Sequence, residues 1–141
     1  MMKAKMVQMT EKQLDMDALR EAGEILKRGG LVAFPTETVY GLGGNALDPE
    51  ASRKIYAAKG RPSDNPLIVH IAGMEDLPAI VSEIPEKAEK LAEAFWPGPL
   101  TMIFSKSDKV PYETTGGLDS VAVRLPSNRI AQALIRQAGG Y

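Results

Sequence analysis

One recurring pattern constrains the fold of this chain most. A predicted helix ends in glycine or proline, and a short apolar run follows it at once. Residues 15–28 place apolar side chains on one helical face, and Gly29-Gly30 then ends the helix. The run Leu31-Val-Ala-Phe34 comes next and has the length and character of a buried strand. Because this order recurs, we predict an α/β fold in which helices cover both faces of a sheet with partly parallel connections.

Further elements follow from the same signals. Asp48-Pro49 is a typical helix start, and that helix is expected to end at Gly60 and Pro62. Strands are predicted at 67–71, 100–104 and 121–125, a weak helical turn at 75–81, and helices at 85–95 and about 128–138. The expected inward residues of helix 85–95 are Ala88, Leu91, Ala92 and Phe95, and the expected cap of the last helix is Ser127.

The length of 141 residues fits one domain with a core of its own. We assign residues 1–14 to an N-terminal extension and residues 15–141 to the domain. The end of the chain repeats the order of helix, glycines and strand, since Gly139-Gly140 follows the last helix and only Tyr141 comes after it. We therefore expect the domain to be incomplete at its C-terminus.

Composition argues against several classes of function. Seventeen basic and eighteen acidic residues give a net charge of -1, whereas proteins that coat nucleic acid are strongly basic. The chain has no cysteine and a single histidine, which argues against disulfides, cysteine nucleophiles and structural zinc. The N-terminus lacks the apolar core of a secretory signal, and no apolar run reaches the ~18–20 residues that span a bilayer. We expect a cytoplasmic protein with no membrane segment.

Two cations at the end of the second predicted helix are the strongest binding candidates. Lys59 and Arg61 flank Gly60, and Pro62 fixes the direction in which the chain leaves. In an extended segment, residues two apart point to the same side, so both cations are expected to converge. Lysine supplies a compact charge, and arginine supplies a planar fork for phosphate or carboxylate. The alternative is that both cations only cap the helix C-terminus.

Other candidates lie at the ends of predicted strands. Pro35-Thr-Glu-Thr38 and Tyr40-Gly-Leu-Gly-Gly44 offer hydroxyls and backbone that a ligand can approach, although turn chemistry explains the threonines equally well. His70 lies in an apolar run, where a core histidine is the simpler interpretation. Arg124 ends an apolar strand and needs an anionic partner, from the protein or from a ligand. With no P-loop and no convincing dinucleotide motif, these residues indicate a small anionic ligand.

Five segments, in order and with natural spacing, together resemble the YrdC family. They are Phe34-Pro-Thr-Glu-Thr-Val-Tyr-Gly-Leu-Gly43, Lys59-Gly-Arg-Pro62, Asn65-Pro-Leu67, Phe95-Trp-Pro-Gly-Pro-Leu-Thr101 and Val121-Ala-Val-Arg-Leu-Pro126. The resemblance runs from about residue 15 to the last residue. It implies an open, twisted, mixed sheet flanked by helices, of the YrdC/RibB-like type, with a concave and positively charged face.

The best-known members of this family are threonylcarbamoyl-AMP synthases, so the resemblance implies an enzyme, a nucleotidyltransferase. It would join L-threonine, bicarbonate and ATP into threonylcarbamoyl-AMP and pyrophosphate, with Mg²⁺ on the ATP phosphates and no organic cofactor. The product would pass to the tRNA threonylcarbamoyl transferase machinery. Such chemistry needs positioning and cationic stabilisation of a phosphate, and it needs no protein nucleophile.

The resemblance also implies roles for single residues. Those that would contact threonine or its carbamate are Thr38, His70 and Arg124. Those that would lie along ATP are Lys59, Arg61, Asn65 and Ser120, of which Lys59 and Arg61 would act on the reacting phosphate. The family's Ser-x-Asn motif, which follows the last helix, has no counterpart before Tyr141. We therefore expect this chain to be weakly active or inactive.

Three other interpretations stay open at this point. A module that binds double-stranded RNA or tRNA without catalysis would use the concave basic face of the family. A YrdC-like domain of a hydrogenase-maturation carbamoyltransferase would handle carbamoyl-AMP in place of threonine. The last is a plain α/β domain whose loops are only structural.

Overall fold

The computed structural model describes residues 5–36, 40–60, 62 and 65–141. Five α-helices, five strands and one 3-10 helix alternate over these residues. In chain order they are α1 (Met16–Lys27), β1 (Val32–Phe34), β2 (Gly41–Gly43), α2 (Pro49–Lys59), β3 (Ile68–His70), the 3-10 helix (Met74–Ala79), α3 (Glu86–Phe95), β4 (Thr101–Ser105), α4 (Tyr112–Thr115), β5 (Ser120–Arg124) and α5 (Arg129–Gln137).

Polar caps fix where the helices begin. Asp15 accepts a hydrogen bond from the backbone N–H of Ala18 at the start of α1, and Asp48 accepts one from Glu50 at the start of α2, which confirms the predicted helix start at Asp48-Pro49. The predicted cap of the last helix was wrong. Asn128, not Ser127, accepts from two backbone N–H groups of the first turn of α5. Asn128 stands directly before the first turn of α5, and its amide oxygen reaches both donors.

The described strands form two small sheets. In the first, β1 pairs antiparallel with β2, and Phe34 stands opposite Gly41. In the second, β5 lies between β3, which is parallel to it, and β4, which is antiparallel. The prediction of an open, mixed sheet flanked by helices is thereby confirmed. The strand β2 and the short helix α4 were not predicted, because glycines and a polar loop carry no periodic apolar signal.

The main core lies on one face of the three-stranded sheet. Its buried side chains come from the strands, from the 3-10 helix and from Trp96, whose indole N–H donates to the carbonyl of Leu100 at 2.8 Å. The predicted inward face of α3 was partly wrong, since Ala92 is buried but Leu91 and Phe95 are 43% and 56% exposed. The helix turns only its small alanines toward the core, because Trp96 immediately after it already fills the space.

A second core joins the two terminal helices to the two-stranded sheet. Leu19, Leu26, Phe34 and Leu134 are among its members. The helices α1 and α5 approach so closely that a Cβ added to Gly23 would lie 2.6 Å from the backbone oxygen of Gln137. The predicted N-terminal extension also packs here where it is described, through side chains that include Met9 and Leu14.

Candidate functional site

One rung of the three-stranded sheet carries three polar residues side by side. His70 on β3 is the direct partner of Arg124 on β5, and Arg124 is the direct partner of Thr101 on β4. Side chains in one rung point to the same face, so these three residues share the face opposite the main core. The structure therefore brings together His70 and Arg124, which the sequence predicted separately.

A cavity of about 260 Å³ opens next to this rung, between the two sheets. Strand β2 and the loop after it form one wall, the end of α2 and the segment that leads into β3 form another, and α5 closes the back. The polar or charged side chains that line it are Thr36, Asn45, Ser52, Lys59, His70, Thr114, Arg124 and Tyr141. The volume lies just below the ~300–1,000 Å³ of sites for drug-sized ligands, so it suits a ligand of amino-acid size.

Arg124 is fixed by the turn that follows α3. Its Nε donates to the carbonyl of Gly98 at 3.2 Å, and the backbone N–H of Gly98 donates to the carbonyl of Leu125 at 2.9 Å. The turn begins at the cis peptide bond between Trp96 and Pro97. Arg124 is only 8% exposed, and burial lowers the pKa of its guanidinium, which nevertheless remains charged near neutral pH.

His70 is held in one tautomer by its own strand. Its Nδ1 lies 3.2 Å from the carbonyl oxygen of Ile68, and because that oxygen only accepts, Nδ1 carries the proton. Burial lowers the pKa of His70 below its ordinary value of 6.5, so the ring is neutral near pH 7. In this form Nε2 is a hydrogen-bond acceptor.

The cations of α2 differ in whether their charges are paired with neighbouring residues. Arg53 pairs with Glu50 and Glu113, and the Nζ of Lys54 donates to the carbonyl of Gly29 at 2.9 Å. Lys59 lines the cavity and forms no ion pair with any described residue.

The convergence of the two cations stays a prediction, although the extended geometry assumed for it does not hold at Lys59 and Gly60. Lys59 is the last residue of α2, and Gly60 is left-handed with a φ of 66°, so this segment is helical and then turns, and it is not extended. Arg61 and Thr38 lie outside the described residues.

The structure places the remaining candidates outside the cavity. Asn65 precedes the lining residue Pro66, and its carbonyl accepts from the hydroxyl of Tyr56 at 2.8 Å. Ser120 begins β5 and shares the face of Arg124, because Ser120, Ala122 and Arg124 alternate along the strand. Four residues of strand put Ser120 about 13 Å from Arg124.

A pair of buried hydroxyls in the cavity wall was missed by the sequence analysis. The Oγ atoms of Ser52 and Thr114 lie 2.8 Å apart, and Thr114 donates its proton to the carbonyl of Ala46 at 2.7 Å. The hydroxyl oxygen of Thr114 therefore accepts the proton of the Ser52 hydroxyl. The oxygen of Ser52 can still accept a hydrogen bond from another group. No sequence signal pairs these residues, since one lies in α2 and the other in the unpredicted α4.

The site thus offers a buried guanidinium, a neutral histidine and a lysine around a small cavity. This arrangement can bind an anion at Arg124 and a hydrogen-bond donor at His70, as a zwitterionic amino acid would require. Across the described ranges there is no group of three or more histidine or acidic residues that could hold a metal ion. In the same ranges no helix has both the length and the apolar character to cross a membrane.

Comparison with known proteins gives consistent matches. The family model named Sua5/YciO/YrdC and described as telomere recombination matches residues 24–141. The threonylcarbamoyl-AMP synthase of Pyrococcus abyssi is 60% identical over 117 residues, which are 83% of this chain. That of Bacillus subtilis is 52% identical over 122 residues, or 86% of this chain.

A solved structure agrees in three dimensions. The crystal structure of P. abyssi Sua5 complexed with L-threonine superposes with a TM-score of 0.89 at 55% identity, covering 91% of this chain and 38% of that one. The matched residues are 34% and 35% of the P. abyssi and B. subtilis synthases, so the chain spans about a third of the length of these curated relatives.

Proposed function

Because this chain belongs to the Sua5/YciO/YrdC family, we propose that it forms the threonine and nucleotide site of a threonylcarbamoyl-AMP synthase. The synthase would join L-threonine, bicarbonate and ATP into threonylcarbamoyl-AMP and pyrophosphate, for the modification of tRNA in the cytoplasm. Since the chain spans about a third of its relatives' length, the proposal assigns binding to these residues and synthesis to the protein as a whole.

The observation that carries the proposal is the rung that pairs His70 with Arg124 beside a cavity of amino-acid size. The guanidinium of Arg124 would hold the threonine carboxylate through charge-assisted hydrogen bonds. The Nε2 of His70, which lacks a proton near pH 7, would accept from the threonine amino group. Thr38, which follows β1 in the sequence, would add a hydroxyl contact.

The nucleotide would lie along the exposed face of β5, from the cavity toward Ser120. The rung between Arg124 and Ser120 is apolar, because Ile68 and Ile103 flank Ala122 in the two ladders. Ile68 and Ile103 are 46% and 73% exposed, and an exposed apolar row beside a charged site fits a flat nucleoside. Ser120 would then contact the nucleotide at the far end.

The proposed reaction has two steps. The ammonium group of threonine first loses a proton, and bicarbonate gives CO₂ with release of hydroxide. The amine nitrogen then forms a bond to the carbon of CO₂ and loses a second proton to become a carbamate; the hydroxide takes up one of the two protons and solvent takes the other. A carbamate oxygen then attacks the α-phosphorus of ATP, and the bond from that phosphorus to the bridging oxygen of pyrophosphate breaks. Lys59, Arg61 and Asn65 would line the phosphates, and magnesium would enter with ATP as part of the substrate. The residues act by positioning and charge.

Calorimetry of L-threonine and of Mg-ATP with this chain tests the proposal directly. We expect L-threonine to bind in a 1:1 ratio and more tightly than L-serine or D-threonine. The variants His70→Ala and Arg124→Ala are expected to weaken threonine binding. A chain that is folded by circular dichroism and binds neither threonine nor Mg-ATP would overturn the proposal.

The RNA-binding alternative has less support. The net charge is -1, and Arg53 on α2 is engaged in ion pairs with Glu50 and Glu113, which lowers the positive charge that a polyanion would meet there. That alternative would be favoured if tRNA bound more tightly than threonine and if its affinity fell steeply with salt concentration.

A further inference from the structure

The side chain of Phe34 connects the two sheets at the site. Its ring centroid lies 5.7 Å from that of His70, and the two ring planes meet at 81°. This is the edge-to-face arrangement that aromatic pairs prefer. Phe34 is buried at the end of β1, whereas His70 ends β3, so the contact crosses the gap beside the cavity.

Two glycines on the opposite strand make room for the Phe34 ring. A Cβ on Gly43 would lie 2.7 Å from Cε1 of Phe34, which is too close for two non-bonded carbon atoms, so one of them would have to shift. A Cβ on Gly41 would lie 3.4 Å from Cζ, which is ordinary contact. Glycine weakens a strand, so a strand built as Gly41-Leu-Gly43 indicates a close approach that the fold requires.

The ring of His70 is thus held from two sides. On one side its Nδ1 donates to the carbonyl of Ile68. On the other side the imidazole ring packs against the ring of Phe34 in the edge-to-face arrangement. Rotation of the imidazole about its χ2 angle would break the first contact and lose the edge-to-face geometry of the second. The tautomer that leaves Nε2 as an acceptor therefore depends on the place of the Phe34 ring.

We propose that Phe34, seated against Gly43, is a positioning residue that holds the His70 imidazole in the orientation and tautomer needed to bind the amino group of the ligand. This inference rests on the proposed function for its ligand, but the position of the ring itself is testable without one. Phe34 acts through His70 and need not touch the substrate.

The two glycines provide a matched pair of variants. Gly41 and Gly43 face the same ring from the same strand, and neither has a backbone conformation that excludes alanine. Gly43→Ala is expected to displace the Phe34 ring, and Gly41→Ala is expected to leave it in place. Phe34→Leu removes the ring and keeps an apolar side chain, and Ala33→Ser changes an exposed residue on the other face of β1.

The readout is the nitrogen NMR spectrum of the imidazole, which is unambiguous because the chain has 1 histidine. The unchanged protein is expected to show a protonated Nδ1 and an unprotonated Nε2 at pH 7.5. Phe34→Leu and Gly43→Ala are expected to show a mixture of tautomers, whereas Gly41→Ala and Ala33→Ser are expected to match the unchanged protein. Threonine affinity should fall about two- to tenfold in the first two variants and stay unchanged in Ala33→Ser.

The proposal is overturned if Phe34→Leu, folded by circular dichroism, keeps the Nδ1–H tautomer and full threonine affinity. If Gly43→Ala fails to fold, Phe34→Leu and Gly41→Ala still decide the question. Failure of the unchanged chain to bind threonine would reject the proposed function, and the tautomer comparison would still accept or reject the positioning role of Phe34.

Discussion

His70 and Arg124 are direct partners in the parallel ladder between β3 and β5. Parallel pairing places the two side chains on one face at a spacing of about 4.8 Å, which is within reach of both ends of an amino acid. A hydrogen bond from the backbone N–H of Ile71 to the carbonyl of Arg124, at 2.9 Å, continues the ladder beyond the rung. The geometry of the site is therefore set by backbone pairing, which side-chain substitutions at the rung should leave unchanged.

Arg124→Lys is expected to weaken L-threonine binding about 10- to 100-fold, because lysine cannot grip a carboxylate at two points and hydrogen bonds to charged groups contribute about 1.5–3 kcal/mol. Calorimetry measures the effect. Arg20→Lys is the matched control, since Arg20 is exposed on α1 and pairs with Asp17 away from the cavity. Equal affinities for the two variants would contradict the assignment of Arg124 to the carboxylate.

Ile103→Glu is expected to weaken Mg-ATP binding and to leave threonine binding unchanged. The substitution puts a carboxylate on the apolar row beside Ala122, where it repels phosphate and removes contact with the nucleoside. Because Ile103 is 73% exposed, the free energy of unfolding should change little. Leu91→Glu on α3 is the control for adding a carboxylate at another exposed apolar position. A nucleotide affinity that responds equally to both variants would place the nucleotide elsewhere.

The hydroxyl pair of Ser52 and Thr114 allows a double-mutant cycle. Thr114→Val leaves the Ser52 hydroxyl without its acceptor and the Ala46 carbonyl without its donor, so it should cost about 1–3 kcal/mol. Ser52→Ala should cost less, because Thr114 keeps its bond to Ala46. Chemical denaturation measures each step. We expect the double variant to be more stable than the sum of the two single changes, and strict additivity would show that the hydroxyls are not coupled.

The stability of the fold should depend on His70 near neutral pH. Burial lowers its pKa in the folded chain below 6.5, so between that lowered value and 6.5 the unfolded chain binds more protons. The free energy of unfolding should therefore fall as the pH drops through this window. The guanidinium of Arg124, the partner of His70 in the ladder, keeps its charge there.

His70→Gln is the control for this pH effect. The variant should lack the part of the pH dependence that belongs to the imidazole, while the acidic residues that titrate at lower pH act equally in both proteins. Identical slopes between pH 5.5 and 7 for the two proteins, at ~0.1 M salt, would show that His70 does not carry the effect.

Local chemistry explains which parts of the fold were predictable. Asp48-Pro49 and the left-handed Gly60 bound α2 through interactions within a few residues, so the sequence signals sufficed. The inward face of α3 was misjudged, because the position of Trp96 against the main core decides which side of that helix is covered. The strand Gly41–Gly43 was not predicted, because its glycines make room for the ring of Phe34 on another strand, and the sequence does not show that contact.

The same division holds for the candidate site. By itself the sequence determined the candidate binding residues Lys59, His70 and Arg124, whose roles stay predictions, and through its motifs it determined the family, because residue type and spacing along the chain are local properties. Only the tertiary structure decided that His70 and Arg124 share a rung and that Phe34 meets His70 across the gap between the sheets. Those contacts join segments far apart in sequence, and strand pairing and side-chain packing, which bring such segments together, are properties of the folded chain alone.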